Sequence, residues 1–391
     1  CGAEMGLIGT EITERGHMVP AQLVVRRYRQ SKYACPHGHT VKTASAPAGI
    51  VDKAKYEPSV YAHIITAKYC DHLPLHRLQG MLRRMGADIS KQLMWDMLVR
   101  FDEIAAQPIL AEMRRQLLQE QVLQADETPI RVMLDGRKGT RRGILWAWRN
   151  PRGSSEEMVV ADFKDDRSAR GPDAFLGVWS ETLLTDGYDG VNPTAVQNGI
   201  IRAGCWAHVR RKFRDAFTVG AARAGPILRM IQRLFWIERA ILARAKAKEL
   251  TREQLVELRH AVRNHRSKVV LLELYKMVFA LLEDPSTAAS EQLLKAVKYA
   301  VNQRNPLLAH LDDGRLPIHN NDTERDIRHV VTGRKNWMTL GSEKGGHVAA
   351  RLYSLVMSCK LADVNVERYM EDVLTSVATT PASRISGLTP W

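Results

Sequence analysis

Apolar and polar residues follow two periods along this chain, and each period predicts one kind of element. Apolar positions three and four residues apart predict helices over Tyr61–Arg100, Trp206–Phe217, 223–305 and from Asn320 to the end. Short runs rich in β-branched and aromatic residues predict strands at Glu11–Thr13, Gln22–Tyr28, Gln121–Met133, Gly143–Arg149, Met158–Phe163, Thr182–Thr185 and Ile200–Ala203. A short helix is expected near Ala174–Leu176.

The order of these elements predicts the fold class. Gln121–Met133 and Gly143–Arg149 flank the turn DGRKGTRRG, as expected of a hairpin, and Met158–Phe163 adds a third strand. Strands and helices then alternate, and a long helical block with no comparable strand signal follows. Three antiparallel strands, alternating α and β, and then helices indicate an α+β fold with an inserted helical domain.

The first helical region contains the outline of a helix-turn-helix. The segment LPLHRLQGMLRRMGADISKQLMWDMLVR divides at Gly86, and Ser90 is a suitable N-cap for the second helix. Lys91 and Gln92 would then lie in the N-terminal turn that contacts base edges in such motifs. The alternative is an ordinary helical hairpin that packs on a neighbouring core.

Length, charge and cysteine content narrow the class of protein. At about 150 residues per domain, 391 residues correspond to two or three domains. A net charge of +14 favours a polyanionic partner, although a solvated basic surface gives the same value. Five scattered cysteines favour a reducing cytoplasm over a disulfide scaffold. Neither a membrane span nor a signal peptide is expected, and the start at Cys1 without Met suggests that an upstream segment is missing.

Three acidic residues are candidates for chemistry. Asp126 interrupts an apolar strand, Asp186 follows the run ETLLT, and Glu324 opens a helix in HNNDTERDIRHV. Two carboxylates on neighbouring strands and a third on a packed helix can hold two divalent ions for phosphodiester cleavage. Each residue also has a structural interpretation, because Asp126 and Asp186 stand in turn-forming sequences and Glu324 fits a helix cap.

The chain resembles transposases of the insertion-sequence-66 family. The resembling segments, in the order of the family, are KYACPHGH, AKYCDHLPLHRL, QADETPI, TDGYDGV, AGCWAHVRRKF, LDDGRLPIHNNDTERDIR, GRKNWMTLGSEKGG, ARLYSLVMSCKLADVN and the terminal LTPW. The resemblance implies an RNase H-like mixed sheet core with an all-helical insertion, and a catalytic triad of Asp126, Asp186 and Glu324. It also implies two Mg²⁺ ions as cofactors.

The segment CWAHVRRKF adds a Cys-x-x-His pair and a basic run. Cys205 and His208 form half a zinc site at most, and the alternative is a buried thiol beside a hydrogen-bonded histidine. In related groups such pairs follow the second Asp, which implies a supporting role beside the catalytic centre. Arg210, Arg211 and Lys212 are candidate phosphate contacts, although most basic runs are solvated.

The resemblance also implies a remnant of a zinc-binding module at the N-terminus. Cys1 would be the last cysteine of a first knuckle, and Cys35 and His39 have the spacing of a second, with His37 as an alternative ligand. Zn²⁺ is therefore a possible cofactor of the intact module. Near the other end of the chain, Arg334 and Lys335 in GRKNW are candidate DNA contacts, and Trp337 either joins them or packs under its helix.

The resulting hypothesis is a bacterial, nucleoid-associated DNA transposase that cuts and joins DNA at the ends of its element. Its partners would be the terminal inverted repeats, target DNA, further copies of the chain and accessory proteins of the element, with no membrane. The alternatives are a non-catalytic DNA-binding protein derived from a transposase and a stand-alone RNase H-type nuclease. The predicted parts are a zinc-module remnant (1–50), a helix-turn-helix region (51–115), a first core part (116–218), a helical insertion (219–312), and a second core part with C-terminal helices (313–391).

Overall fold

The computed structural model describes residues 2, 9–18, 21–45, 54–136, 138–168, 170–187 and 189–391. Its strands are β1 Lys32–Ala34, β2 Val41–Thr43, β3 Val122–Met133, β4 Thr140–Arg149, β5 Val159–Lys164, β6 Thr182–Thr185, β7 Ile201–Gly204 and β8 Thr339–Leu340. Its helices are α1 Pro58–Ile65, α2 Leu75–Arg84, α3 Lys91–Phe101, α4 Gln107–Leu117, α5 Arg170–Leu176, α6 Asn192–Asn198, α7 Trp206–Thr218, α8 Ala224–Ala247, α9 Arg252–Val262, α10 Lys268–Glu283, α11 Glu291–Asn302, α12 Arg304–Leu308, α13 Asn321–Trp337, α14 Glu343–Leu361 and α15 Val366–Ser376.

Strands β3 to β8 form one mixed sheet. The order is β5-β4-β3-β6-β7, and the short strand β8 pairs with the far end of β3. The strands β3, β4 and β5 are antiparallel, whereas β6 runs parallel to both β3 and β7. Together with the family match reported below, this confirms the predicted α+β fold with an RNase H-like core.

Helix α14 covers the edge strand β5 of this sheet. The backbone N–H groups of Ala161 and Val159 donate to the hydroxyls of Ser354 (2.7 Å) and Ser358 (3.1 Å) on α14. These bonds satisfy donors that an edge strand would otherwise leave without a partner. Helices α1 to α4 and α15 pack in the same hydrophobic core, so the predicted helix-turn-helix rests on the sheet domain.

The predicted turn between α2 and α3 is confirmed in detail. Gly86 has φ of +85°, a conformation that side chains disfavour, and the Ser90 hydroxyl accepts a hydrogen bond from the backbone N–H of Leu93 (3.2 Å). Lys91 and Gln92 are exposed at the start of α3. The Gln92 amide donates to the Asp96 carboxylate at 2.9 Å.

A second core lies among α7, α8, α10 and α11. Trp206, Phe213, Ile231, Leu274 and Val297 are buried in it. These helices stand in the chain between β7 and α13, as the sequence predicts for a helical insertion. The residue limits assigned to the separate parts of the chain stay predictions.

Two strand predictions are wrong, and one strand was not predicted. Glu11–Thr13 and Gln22–Tyr28 are irregular, and Val24 and Val25 are 66% and 91% exposed, because no neighbouring strand pairs with them. The strands of this region are instead β1 and β2, which flank the turn that carries Cys35. The two-residue strand β8 is too short to give a period. Among the described residues, no helix combines the length and apolar character that a membrane crossing requires.

Candidate active site

Asp126 and Asp186 are brought together by the register of β3 and β6. In this parallel pair, Val122 lies opposite Thr182 and Gln124 opposite Leu184, a constant offset of 60 residues. Asp126 and Asp186 have the same offset, since 186 − 126 = 60. Asp186 follows the last residue of β6 directly, so its position corresponds to that of Asp126 on the neighbouring strand.

The charges around Asp126 show that the three predicted carboxylates share one neighbourhood. Burial raises the pKa of the Asp126 carboxyl well above its ordinary value, and the negative charges of Asp186, Glu127 and Glu324 raise it further. A hydrogen bond from the backbone N–H of Glu127 to Asp126 Oδ1 (2.9 Å) acts in the opposite direction. Carboxylates that repel one another in a half-buried site favour the binding of a cation.

Glu127 is the next residue along β3 and is not an equivalent alternative to Asp126. Successive side chains on a strand face opposite sides of the sheet. The Glu127 carboxylate forms an ion pair with Arg167, which compensates its charge.

Glu324 reaches the site from the first turn of α13. Its side chain contacts α7, where Arg211 Nη2 lies 3.2 Å from Glu324 Oε2 and His208 Nε2 lies 3.6 Å from Glu324 Oε1. Among the described residues, Oε1 has no hydrogen-bond donor although it is buried. The helix begins after Asn320 without a side-chain cap, so the structure does not place Glu324 in a capping role.

Asn320 connects the elements that carry the carboxylates, and the sequence patterns did not single it out. Its side-chain N–H₂ donates to the backbone carbonyl of Ala125 (2.7 Å), next to Asp126. Its side-chain oxygen accepts from Thr323 Oγ1 (2.8 Å) and from Gln124 Nε2 (3.2 Å). Its backbone N–H donates to the sulfur of Cys205 (3.2 Å). One buried amide therefore fixes β3, the start of α7 and the start of α13 to one another.

Tyr299 in α11 connects the helical insertion to Asp186. Its phenol donates a hydrogen bond to the main-chain carbonyl of Asp186, and Lys212 Nζ lies 4.6 Å from the centre of its ring. Gly187 has φ of +90°, and a Cβ at this position would come within 2.9 Å of the Tyr299 oxygen. Only glycine fits this position without strain.

The structure separates Cys205 from His208. The Cys205 thiol is fully buried, and burial raises its pKa to about 11, so it remains protonated at neutral pH. His208 faces the carboxylates, and burial lowers the pKa of its imidazole, with Arg211 and Lys212 acting in the same direction and Asp186 and Glu324 against it. The described His208 Nδ1 is buried without a hydrogen-bond partner.

The candidate DNA contacts differ in how free they are. Arg210 and Lys335 are exposed at the surface. Arg211 pairs with Glu324, and Lys212 lies against Tyr299. Arg334 donates to the hydroxyl of Thr128 (2.8 Å) and to the carbonyl of Pro129, which ties the end of α13 to β3. The neighbouring Trp337 is partly buried against the core.

The predicted zinc ligands are described only in part. The turn between β1 and β2 places Cys35 Sγ 4.0 Å from His39 Nδ1, close to the separation of roughly 3.6 Å expected of a sulfur and a nitrogen that share one zinc ion. The His37 and His39 ring centres are 6.1 Å apart. Cys1 lies outside the described residues. Two ligand types therefore fit a zinc ion, and a full ligand set is not present in the described chain.

Side-chain positions around the three carboxylates also limit what can be said of a metal. Within the part of the chain that the structure describes, no group of three or more acidic, histidine or cysteine side chains is close enough to hold one ion as it stands. Hard oxygen donors and the orphaned Glu324 Oε1 nonetheless suit a divalent cation in chemistry and placement. The carboxylate of Glu324 would need to turn from Arg211 toward Asp126.

Three family models match successive parts of this chain. The Transposase IS66 family model matches residues 53–348, and the model of the IS66 C-terminal element matches residues 354–391. The model of the zinc-finger binding domain of transposase IS66 matches residues 1–37. The first match covers most of the chain and includes all three carboxylates.

Similar proteins of Sinorhizobium fredii match the whole chain. It is 31% identical to the uncharacterized protein y4qI, of which it covers 72%, and 30% identical to the uncharacterized protein y4jD, of which it covers 77%. It is 26% identical to the uncharacterized protein y4hP, with 72% of that protein covered.

Proposed function

The chain belongs to the Transposase IS66 family, and on that basis we propose that it cuts DNA at the ends of an insertion sequence and joins those ends to target DNA. Asp126, Asp186 and Glu324 are the proposed catalytic residues. The observation that carries this proposal is the raised pKa of Asp126, because the charges of both distant carboxylates contribute to it. Residues 60 and 138 positions apart in the chain therefore act on one another at one place.

Asp126 and Asp186 are the residues that would hold Mg²⁺, and Glu324 would complete the ligand set. When bound, a pair of such ions stabilises the charge on the attacking and departing oxygens of a phosphodiester. The carboxylates repel one another in a half-buried site, which is the condition that a divalent cation relieves. Glu324 also positions the attacking oxygen.

In the first step, the oxygen of a water molecule forms a bond to phosphorus at the end of the element, and the bond from phosphorus to the 3′ oxygen breaks. The products are a 5′ phosphate on the flanking DNA and a 3′ hydroxyl on the element. In the second step, this hydroxyl attacks a target phosphodiester and displaces another 3′ oxygen. Arg210, Arg211 and Lys212 on α7 lie beside the site and would hold the DNA backbone.

The remaining parts of the chain would recognise DNA and bring its ends together. Lys91 and Gln92 would contact bases from the start of α3, and Lys335 a phosphate near Glu324. Cys35 and His39 would provide two ligands for Zn²⁺ in the N-terminal module. Joining two ends requires a dimer or larger assembly on DNA, helped by accessory proteins of the element, at the bacterial nucleoid.

The experiment that tests this proposal is a cleavage and strand-transfer assay on duplexes that carry the element's own ends, with Mg²⁺. We expect the wild-type chain to nick the ends and join them to a second duplex. Asp186→Asn should lose both products, whereas Asp135→Asn, which changes an exposed carboxylate in the turn between β3 and β4, should retain them. Equal activity of Asp186→Asn and the wild type would remove the proposed mechanism.

Two other outcomes would replace the proposal with a different function. DNA binding without any cleavage, unchanged in Asp126→Ala, would indicate a non-catalytic DNA-binding protein. Cleavage that is independent of the terminal sequences and is never followed by strand transfer would indicate a stand-alone nuclease.

A further inference from the structure

An open groove on the helical insertion combines cations with exposed apolar side chains. It has a volume of about 480 Å³ and lies between α8 and the start of α10. Its lining residues, which we call the insertion groove, are Arg233, Trp236, Ile237, His265, Arg266, Val269 and Val270. None of them belongs to the site formed by the three carboxylates, and no lining residue is acidic.

The charge of the surrounding surface is uncompensated. Helix α8 exposes Arg229, Arg233, Arg239, Arg244 and Lys246. Its single acidic residue, Glu238, is buried and bonded to Arg263 at 2.7 and 2.8 Å. Among the described residues, no carboxylate lies within ion-pair distance of these five cations or of Arg266 across the groove. Such a face suits a polyanion.

The cations are spaced along one side of α8. Arg229, Arg233, Trp236 and Arg244 are separated by steps of four, three and eight residues, which keeps them on one helical face. From Arg229 to Arg244 the helix rises by roughly 22 Å, about two thirds of one turn of B-form DNA at roughly 34 Å. A single helix can therefore follow several consecutive phosphates.

The apolar part of the groove is also exposed. Trp236 is 57% and Val269 is 59% exposed, although large apolar side chains are usually buried in a monomeric domain. A tryptophan between arginines can pack on deoxyribose or on a base while the guanidinium groups hold phosphates.

We propose that the insertion groove is a second DNA-contact surface, separate from the cleavage site and the helix-turn-helix. Arg233 and Arg266 hold phosphates from its two walls, and Trp236 contacts the sugar-base side of the same strand. The proposal rests on the proposed function for the identity of the partner as DNA. A second copy of the chain through the same face is disfavoured, because two-fold symmetry would oppose like charges.

The test is the salt dependence of DNA binding by the full chain, measured by fluorescence anisotropy on a duplex that carries the element's end. Each phosphate contact contributes about 0.9 to the slope of log K against log salt. Arg233→Gln with Arg266→Gln should therefore lower the slope by about 2 and weaken binding roughly thirtyfold at 0.15 M salt. Trp236→Ala should weaken binding without changing the slope.

The matched control is Arg368→Gln with Arg384→Gln, which removes the same charge from exposed arginines near the C-terminus. Its slope should stay close to that of the wild type. Circular dichroism of each variant checks that the chain is folded. If Arg233 or Arg266 proves necessary for folding, a photoreactive phenylalanine derivative in place of Trp236 should cross-link to the duplex.

Equal affinity and slope in the groove variant and the control would overturn the proposal, as would absence of the cross-link. Loss of self-association with an unchanged DNA slope would overturn it in favour of a protein partner. Because the measurement uses binding and not cleavage, an inactive wild-type chain would contradict the proposed function and leave the groove result valid.

Discussion

The phenol of Tyr299 donates its hydrogen bond to the main-chain carbonyl of Asp186, although 113 residues separate the two. Tyr299 lies on α11 of the helical insertion, and Asp186 ends a strand of the sheet. The insertion therefore supports the segment that carries one of the proposed catalytic carboxylates. Any movement of α11 would be passed on to Asp186.

Tyr299→Phe should slow strand cleavage about tenfold, because loss of a hydrogen bond worth about 1 kcal/mol leaves the Asp186 segment less well positioned. The measurement is the single-turnover cleavage rate, with DNA affinity as a second readout that should not change. Tyr275→Phe is the matched control, since Tyr275 also donates to a backbone carbonyl of the insertion, that of Ala300 at 3.2 Å. Similar cleavage rates in the two variants would show that Tyr299 has no special role.

Gly187→Ala should destabilise the chain more than Gly199→Ala does. Both glycines have a positive φ, +90° and +70°, which costs alanine about 1 kcal/mol. At Gly187 the new methyl group would also meet the Tyr299 oxygen at 2.9 Å, whereas nothing lies within 4 Å at Gly199. Urea unfolding of the two variants measures the difference. Equal losses of unfolding free energy would argue against the close contact.

Asn320→Ala should reduce both stability and cleavage. It removes the bond to the Ala125 carbonyl and leaves buried partners unsatisfied, which costs about 1–3 kcal/mol per group. Asn150→Ala is the control, because Asn150 is also fully buried with hydrogen bonds to Glu120, Glu156 and Met158, but belongs to the opposite end of β4. We expect both variants to lose unfolding free energy and only Asn320→Ala to lose cleavage at a temperature where both are folded. If both retain cleavage, Asn320 does not position the site.

The sequence predicted those parts of the site that depend on local pattern. The strand runs around Asp126 and before Asp186 were visible as apolar segments, and the offset of 60 residues that joins them is that of the β3–β6 register. The contributions of Asn320 and Tyr299 were not predictable, because they arise from hydrogen bonds to backbone groups 195 and 113 residues away. The N-terminal strand predictions were wrong because β-forming residues such as Val25 have no neighbouring strand there.

Asp126→Asn should stabilise the metal-free chain as the pH rises. The pKa of Asp126 is raised in the folded state, so from the unfolded pKa near 4 up to the folded value the native chain holds the proton more tightly than the unfolded chain. Wild-type stability therefore falls as pH rises through that window, and the asparagine variant lacks this loss. Urea unfolding between pH 4 and 8 in EDTA measures it.

The stability difference between Asp126→Asn and the wild type should be near its minimum at pH 4 and grow with pH. Asp135→Asn, at an exposed position, should show a difference that does not change with pH. A difference that shrinks as pH rises would show that Asp126 is stabilised in its charged form, contrary to the repulsion described above.

The most direct test of the shared carboxylate centre is the binding of Mn²⁺, a substitute for Mg²⁺, counted by electron paramagnetic resonance in the presence of end-sequence DNA. We predict that the wild-type chain binds Mn²⁺ with up to two ions, and that Asp126→Asn, Asp186→Asn and Glu324→Gln each lose most of this binding while Asp135→Asn does not. Unchanged Mn²⁺ binding in any of the three variants would contradict the account, because that carboxylate would then not belong to the centre.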